Sequence, residues 1–399
     1  MSTTVTRRSV EQAIQPRHRR RPPAIDWWMI LAVGGLVAVS LTAIAGATRS
    51  DIGGDSSYFV TRQAIYALLG LLVAAGLAKL DYGVLQGARR GAWWLLIVSN
   101  ISVFVLAGST RGSHRWISLP FFQLQPSELG KALLVVALAG FGVEFAKRVD
   151  DPRVTARLLG MAMLPAAIVA LQPDLGTALV YMAIAVMILV ACGTPFRHLL
   201  AIAAGGLTVV VLVLAVLPVA GVNVLRPYQV ERLTGFINPS SDPAAATYQV
   251  NQSLIAVGAG QRLGRGEAGA SQTGLDFLPE HHTDFIFAVI GERWGFVGAA
   301  IVLSLYALLL WRAMRMVLLA RDMFGSLLSA GIVAILGFQV FVNVGMTLGV
   351  MPITGVPLPL LSYGGSSVLV TFICLGLLQS VHLRAAHPAD AAVRARVRI

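Results

Sequence analysis

The chain has 399 residues, of which 56% are hydrophobic and 13% charged, and its formal net charge is +12. Soluble domains carry about 25% charged residues, so this composition excludes a water-soluble enzyme and indicates an integral membrane protein. The basic excess requires no nucleic acid, because Lys and Arg collect on the inner side of membrane proteins and attract anionic lipid.

Apolar stretches long enough to cross a bilayer recur along the chain and predict the elements of its fold. A spanning helix needs about 20 apolar residues. The stretches do not alternate between apolar and polar residues, as the strands of a membrane barrel do. The sequence therefore predicts an all-α bundle of about ten transmembrane helices, at 27–47, 58–78, 92–108, 128–146, 158–172, 175–192, 199–220, 284–310, 324–348 and 367–383.

The placement of Lys and Arg predicts the orientation of this bundle. With a cytoplasmic N-terminus, 21 of the 31 basic residues fall in inner segments. The positive-inside rule then places both termini in the cytoplasm. The chain divides into a basic arm (1–26), a single membrane domain (27–383) and a basic tail (384–399).

Polar chemistry is concentrated on the predicted outer side. The longest aqueous segment is the large outer loop 221–283, between the seventh and eighth helices. A loop of this length is unusual unless it is functional. The inner loops carry little apart from basic residues, so the sequence favours work at the outer leaflet.

Three arginines on the predicted outer side, Arg62, Arg111 and Arg115, are candidates for contact with an anionic substrate. Arg62 lies one turn into the second helix, where it either snorkels to the headgroups or points inward at an anionic substrate. Arg111 and Arg115 lie in a Gly-rich outer loop beside Trp116. A Trp in such a place is usually an interfacial anchor.

Glu128 and Lys131 follow at the outer end of the fourth helix. Their i, i+3 spacing places them on one helix face as a pair. A charge inside a spanning helix costs about 2.5–3.5 kcal/mol, so such residues are candidates for function. The pair is either a neutralising bridge or a cation that Glu128 orients at the mouth of a lipid-facing groove, and the two interpretations are compatible.

The stretch that precedes the eighth helix carries four ionisable residues, namely Glu280, His281, His282 and Asp284. Thr283 and Asp284 are residues that commonly cap helices. The four could also ligate a metal, although their spacing matches no common metal signature. A third interpretation makes Asp284 a general base at the membrane surface.

Two further charged residues, Glu292 and Arg293, lie deeper in the same predicted helix. They either neutralise one another or pair across helices. The last unusual segment is the Pro- and Gly-rich stretch before the tenth helix, 357–367. It predicts a broken, re-entrant segment that lines a cavity, with a tight loop as the alternative.

Taken together, the motifs resemble the SEDS family of bacterial cell-wall polymerases, and RodA more than FtsW. Their order and spacing match across most of the membrane region. The resembling motifs are RWISLPFFQLQPSELGK (115–131), QPDLGTALV (172–180), YQVERLTGFINPSSDP (228–243), YQVNQSLIAVGAG (248–260), LDFLPEHHTDFIFAVIGE (275–292) and PITGVPLPLLSYGGSS (352–367).

The resemblance implies a ten-helix protein of the bacterial cytoplasmic membrane that polymerises lipid II into peptidoglycan glycan strands for elongation and shape. Asp284 falls on the Asp that the family requires for polymerisation. The sequence departs from the family at Arg265, where a Lys is usual, and at Arg293, which follows Glu292 where the family often has a second Glu.

The reaction implied by the resemblance explains the types of residue present. A sugar 4-hydroxyl attacks the anomeric carbon of a chain linked to undecaprenyl pyrophosphate, so one carboxylate suffices as base. The leaving pyrophosphate needs cations rather than a protonating acid. A divalent cation, Mg or Mn, is compatible with this chemistry but not required by the sequence. The predicted substrate-binding residues are Arg62, Arg111, Arg115, Trp116, Glu128, Lys131, Glu280, His282, Ser362, Gly364 and Gly365.

The resemblance also implies a partner, a single-pass class B penicillin-binding protein that crosslinks the strands. Two other functions remain open: a flippase that moves lipid II between leaflets, and a non-catalytic scaffold for the transpeptidase. A flippase predicts a polar path across the bilayer centre, whereas the ionisable residues here collect on the outer side.

Overall fold

The structure is a computed structural model that describes residues 25–48, 57–106, 115–119, 122–219, 221, 245–275 and 277–385. It is a helical bundle, which confirms the predicted fold class. The helices are α1 (Trp27–Ala47), α2 (Ser57–Lys79), α3 (Gly83–Gly87), α4 (Arg89–Leu106), α5 (Pro126–Phe145), α6 (Pro152–Leu171), α7 (Leu175–Ala191), α8 (Phe196–Val219), α9 (Ala245–Gly260), α10 (Gly266–Gly269), α11 (Ser271–Gly274), α12 (Ile286–Leu319), α13 (Met323–Thr347) and α14 (Gly365–Leu383).

Each of the ten apolar stretches falls on one of these helices. By length and composition, eight of the described helices could cross a membrane, and α7 is a shorter apolar helix. The structure adds one small antiparallel hairpin, of strands β1 (Ile117–Leu119) and β2 (Phe122–Leu124), which the sequence did not predict.

Aspartates cap four of the helices, and this explains where those helices begin. An Asp side chain accepts a hydrogen bond from a backbone N–H that lacks a partner in the first turn. Asp26, Asp151, Asp174 and Asp322 do so at the starts of α1, α6, α7 and α13, at 3.2, 2.9, 3.2 and 2.8 Å.

Helix α13 forms the centre of the bundle, where it packs against α5, α7 and α12. Helix α14 lies against α2 at very close range. A Cβ at Gly376 of α14 would lie 2.7 Å from the Cα of Ala74 in α2, so only glycine permits this approach. By contrast, no residue of α8 is buried among the described residues.

Both described chain ends lie at the same end of the bundle, as the basic residues predict. Asp26, just before α1, pairs with Arg312 of α12 at 2.8 Å, and both side chains are buried. Arg384, just after α14, donates to the carbonyl of Lys79 at 2.6 Å. The opposite end collects the polar residues of the predicted outer side.

The outer part of α12 is broken at Gly295, whose φ of 62° and ψ of −158° are not helical. The break leaves two N–H groups without helical partners, and the predicted outer loop accepts both. Phe296 donates to the carbonyl of Gln261 at 2.8 Å, and Val297 to that of Arg262 at 3.1 Å. The described part of the loop is therefore joined to the helix.

Candidate functional site

Asp284 lies two residues before α12 and is half-buried. The expectation that Thr283 or Asp284 caps the helix is wrong. The N-cap position is Phe285, and no side chain makes a capping hydrogen bond there. Thr283 and Asp284 therefore lie before the N-cap position.

A tight turn at Glu280 sets the path of the chain into Asp284. Glu280 has a φ of 54°, a left-handed conformation that costs a non-glycine residue energy and often marks functional segments. Its carbonyl accepts from the N–H groups of Thr283 and Phe285, each at 3.2 Å. Its carboxylate accepts from the Thr283 hydroxyl at 3.0 Å. Glu280 therefore shapes the turn that presents Asp284.

The predicted segment before α14 holds the backbone on the N-terminal side of Asp284. The N–H of Tyr363 donates to the carbonyl of His282 at 3.0 Å. The hydroxyl of Ser362 donates to the carbonyl of Thr283 at 2.6 Å and accepts from the N–H of Leu358 at 2.8 Å. Ser362 thus joins two non-helical segments.

Asn343 of α13, which was not among the predicted site residues, binds the carbonyl of Asp284 itself. Its side-chain amide donates to the carbonyl of Asp284 at 2.8 Å and to the carbonyl of Val356 at 2.8 Å. The signal was present in the sequence, because an Asn inside an otherwise apolar predicted helix is costly in a membrane.

Two more residues that were not predicted as site residues bind the backbone of the segment that contains Ser362. Ser40 of α1 donates to the carbonyl of Leu361 at 2.9 Å. Gln63 of α2 donates to the carbonyl of Ser362 at 3.2 Å and accepts from the N–H of Gly364 at 3.4 Å. The predicted site residues Ser362 and Gly364 are therefore fixed by the first two helices.

An aromatic cluster brings Arg62 to the same place. The ring of His282 lies 5.2 Å from that of Phe59, which in turn lies 5.1 Å from the ring of Tyr363. The Arg62 guanidinium stacks over the ring of Tyr58 at 4.4 Å and interacts with the side chain of Tyr363. A cation is thus placed beside the segment that carries Asp284.

Glu128 and Lys131 form a tight pair in the first turns of α5. The Lys131 ammonium lies 2.5 Å from a carboxylate oxygen of Glu128, and both side chains are buried. The predicted pairing is observed, and Glu128 neutralises the cation directly. Whether the pair also serves the substrate stays a prediction.

A buried polar network surrounds this pair and reaches α14. The Asp174 carboxylate accepts from Gln125 at 3.0 Å, from Ser127 at 3.2 Å and from the N–H of Thr177 at 3.2 Å. The N–H of Gln125 donates to the hydroxyl of Ser366 at 3.0 Å. Because Ser366 follows Gly364 and Gly365, the start of α14 connects the α5 network to the Asp284 segment.

Arg115 reaches the corner between α6 and α7. Its guanidinium donates to the carbonyls of Gln172, at 3.0 Å, and Pro173. Trp116 beside it is half-buried. Arg111, the third predicted arginine of the outer side, lies outside the described residues.

Glu292 and Arg293 have separate partners, because adjacent helical residues point in different directions. The Glu292 carboxylate accepts from the N–H groups of Gln272 and Thr273, both at 2.9 Å. The Arg293 guanidinium donates to the carbonyl of Gly46 at the end of α1, where a helix favours a cation. Of the two alternatives, pairing with other elements is the one observed.

Within the described part of the chain, no three His, Cys, Asp or Glu side chains are grouped so that they could hold an ion. The interpretation that Glu280, His281, His282 and Asp284 together ligate a metal ion is therefore not supported. His281 instead places its two ring nitrogens 2.8 and 3.0 Å from the carbonyls of Leu278 and Ala47.

Known proteins match this chain over most of its length. The FtsW/RodA/SpoVE family model, described as "Cell cycle protein", matches residues 24–387. Peptidoglycan glycosyltransferase MrdB of Escherichia coli (strain K12) is 34% identical over 360 residues, covering 90% of this chain and 93% of that protein. Stage V sporulation protein E of Bacillus subtilis (strain 168) is 33% identical, covering 88% and 94%.

Solved structures agree with these matches. A chain from a peptidoglycan synthase complex, described as coordinating polymerization and crosslinking, superposes with a TM-score of 0.75 at 33% identity. The alignment covers 90% of this chain and 98% of that one. The crystal structure of the rod shape determining protein RodA of Thermus thermophilus gives a TM-score of 0.62 at 30% identity, covering 90% and 97%.

Proposed function

This chain belongs to the FtsW/RodA/SpoVE family and is a peptidoglycan glycosyltransferase of the bacterial inner membrane, and we propose that Asp284 is the general base with which it polymerises lipid II. The observation that carries the proposal is the fixed backbone around this half-buried carboxylate. The carbonyls of three successive residues, 282 to 284, each accept a hydrogen bond from a neighbouring segment.

The proposed step needs one base and no protonating acid. Asp284 takes the proton of the acceptor 4-hydroxyl while that oxygen attacks the anomeric carbon of the donor. The bond to undecaprenyl pyrophosphate breaks, and the pyrophosphate leaves with the electron pair as an anion. A single displacement inverts the anomeric configuration, so no covalent enzyme intermediate forms.

Arg62 is the cation best placed to stabilise the leaving pyrophosphate. Its guanidinium lies over the ring of Tyr58 at the outer end of α2 and interacts with the side chain of Tyr363, whose ring lies 6.0 Å from that of His282. We propose that His282 and Glu280 complete the donor side of this site. Preorganised charge of this kind is the main means by which enzymes stabilise a developing anion.

The polar network around Glu128 and Lys131 is joined to the Asp284 segment through the start of α14. Lys131 is paired with Glu128 in a buried site, and Arg115 is held by the α6–α7 corner. We propose that Arg115, Trp116 and the glycines Gly364 and Gly365 line the opposite side of the substrate groove, with Arg111 from the same outer loop, and that Lys131, buried with Glu128, contributes its positive charge from beneath this surface. A divalent cation finds no ligand cluster among the described residues, so no step is assigned to one.

The proposed partner is a class B penicillin-binding protein that crosslinks the strands. The support is the likeness to a chain of a synthase complex that couples polymerization with crosslinking. A flippase or a scaffold would not require an acidic residue whose backbone is fixed by hydrogen bonds from two neighbouring segments at one end of the bundle. The fixed backbone of residues 282–284 therefore favours the enzyme over both alternatives.

The test uses the full chain, purified in detergent and given lipid II, with the crosslinking partner added in a parallel reaction. The wild type is expected to make glycan strands, since no membrane crossing is needed. Asp284→Asn keeps the shape of the residue but removes the base, so it should insert and fold normally and make no strands. Strand synthesis by Asp284→Asn at the wild-type rate would overturn the assignment of the base.

A further inference from the structure

We infer that Asn343 is a positioning residue for Asp284, a role that rests on the proposed function of Asp284 as the base. Asn343 lies near the C-terminal end of α13, and its side chain is completely buried. It contacts the backbone of Asp284 rather than its carboxylate, so it acts on the reaction only through the placement of that residue.

Both N–H groups of the Asn343 amide are used to hold chain that is not helical. One donates to Asp284, just before α12, and the other to Val356, in the segment before α14. The first carbonyl belongs to the proposed base, and the second to the segment that also supplies Ser362. One side chain therefore joins the backbone of the proposed base to the segment before α14.

Asn343 is the observed partner of the Asp284 carbonyl because the helix does not use that group. In a regular helix, the carbonyl of Asp284 would accept from the N–H of Ala288. Here Ala288 donates to the carbonyl of Phe285 at 2.9 Å. Without Asn343, the peptide group of Asp284 could rotate, and the carboxylate would move with it.

The incomplete hydrogen bonding of Asn343 among the described residues lowers the stability of the fold, which favours a functional reason for this residue. The amide oxygen of Asn343 is buried and finds no hydrogen-bond partner among the described residues. A buried acceptor left unpaired costs about 1–3 kcal/mol. The chain tolerates this cost in α13, the helix at the centre of the bundle, while both amide donors are engaged at the site.

A small displacement of Asp284 is expected to change the reaction rate strongly. A general base must come within about 2.6–3.2 Å of the oxygen whose proton it removes. A misplacement of about 1 Å can lower a rate by about 100-fold. Loss of the Asn343 donors should therefore reduce the chemical step far more than the binding of lipid II.

The test compares two variants with a matched control in the purified full-length protein. Asn343→Leu removes both donors with little change in volume, and Asn343→Asp keeps the shape but removes the amide. The control is Thr371→Val in α14, which deletes a buried hydroxyl that donates, among the described residues, to the carbonyl of Ser367 in its own helix. Each protein is assayed for kcat and KM with lipid II, and hydrogen–deuterium exchange is followed in peptides covering 277–290.

Both Asn343 variants are expected to lose about 10- to 100-fold in kcat, with KM within about twofold of the wild type and faster exchange in the peptides covering 277–290. Thr371→Val should match the wild type in all three measurements. If either folded Asn343 variant keeps the wild-type kcat, or if KM alone rises, Asn343 does not position the base. Asp284→Asn, assayed in parallel, separates the two proposals: its full activity would overturn the base assignment itself, whatever the Asn343 variants do.

Discussion

The ammonium nitrogen of Lys131 lies 2.5 Å from Oε1 of Glu128, and the two side chains are only 1% and 4% exposed. Each charge is therefore compensated almost entirely by the other. A buried pair of this kind adds little net stability, but breaking it is costly because one charge is left alone. This distinction separates the structural role of the pair from a role in catalysis.

We expect Lys131→Met to destabilise the protein by about 3–5 kcal/mol, since Glu128 would remain as an uncompensated buried charge. The double variant Glu128→Gln/Lys131→Met should recover most of that loss. Thermal unfolding in detergent measures both effects. If the single variant is as stable as the double variant, the two charges do not depend on each other.

The same double variant tests the proposed role of Lys131 at the substrate. If Lys131 helps to hold the pyrophosphate, the double variant should fold well and still polymerise lipid II at least tenfold more slowly. Measurement of strand synthesis at saturating and limiting lipid II distinguishes weaker binding from slower chemistry. A stable double variant with wild-type activity would leave the pair with a purely structural role.

Ser362→Ala should slow polymerisation, because the Thr283 carbonyl and the Leu358 N–H would both lose their partner. A typical hydrogen bond contributes about 0.5–1.5 kcal/mol, so we expect a loss of roughly tenfold in kcat. Ser329→Ala is the matched control, since the buried Ser329 hydroxyl has no hydrogen-bond partner among the described residues. Equal activities for the two variants would contradict the role of Ser362.

Gly260→Ala should destabilise the contact between α9 and α12. A Cβ at Gly260 would overlap the carbonyl group of Gly291, and this backbone cannot move away without disturbing Glu292. Overpacking of this kind costs about 1–3 kcal/mol. Gly258→Ala, on the same helix, meets no atom within 4 Å and should be neutral or slightly stabilising. The midpoints of thermal unfolding of the two variants make the comparison.

Glu292→Gln should loosen the short helix α11, because an amide offers one acceptor oxygen where the carboxylate offers two. The N–H groups of Gln272 and Thr273 would then compete for it. Limited proteolysis of the predicted outer loop should become faster in this variant. Glu144→Gln, which removes a half-exposed salt bridge to Arg89, is the control and should be cut at the wild-type rate.

The helices were predictable from the sequence because a bilayer demands long apolar segments with their backbone bonds satisfied internally. Each predicted stretch falls on an observed helix, within a few residues for most. The largest error is in α12, which extends to Leu319 rather than 310. The hairpin at 117–124 was not predicted, because its residues carry no alternating pattern and follow a Gly-rich loop.

The chemistry of the site was predictable only as an inventory of residue types. The sequence indicated Asp284, the arginines of the outer side and the Glu128–Lys131 pair. It gave no account of Ser40, Gln63 or Asn343, each of which lies in an apolar helix far away in the chain. It also suggested Thr283 or Asp284 as the helix cap, whereas the N-cap position is Phe285.

By itself, the sequence determined the membrane location and the helical class, because these follow from local hydrophobicity, and the distribution of Lys and Arg predicted the orientation. Only the tertiary structure decided how Asp284 is held. The backbone of Thr283 and Asp284 is fixed by hydrogen bonds from residues 79 and 59 positions later in the chain. Glu292 and Arg293 find their partners in α11 and at the end of α1. Such contacts depend on which helix ends meet in space, and no local pattern records that arrangement.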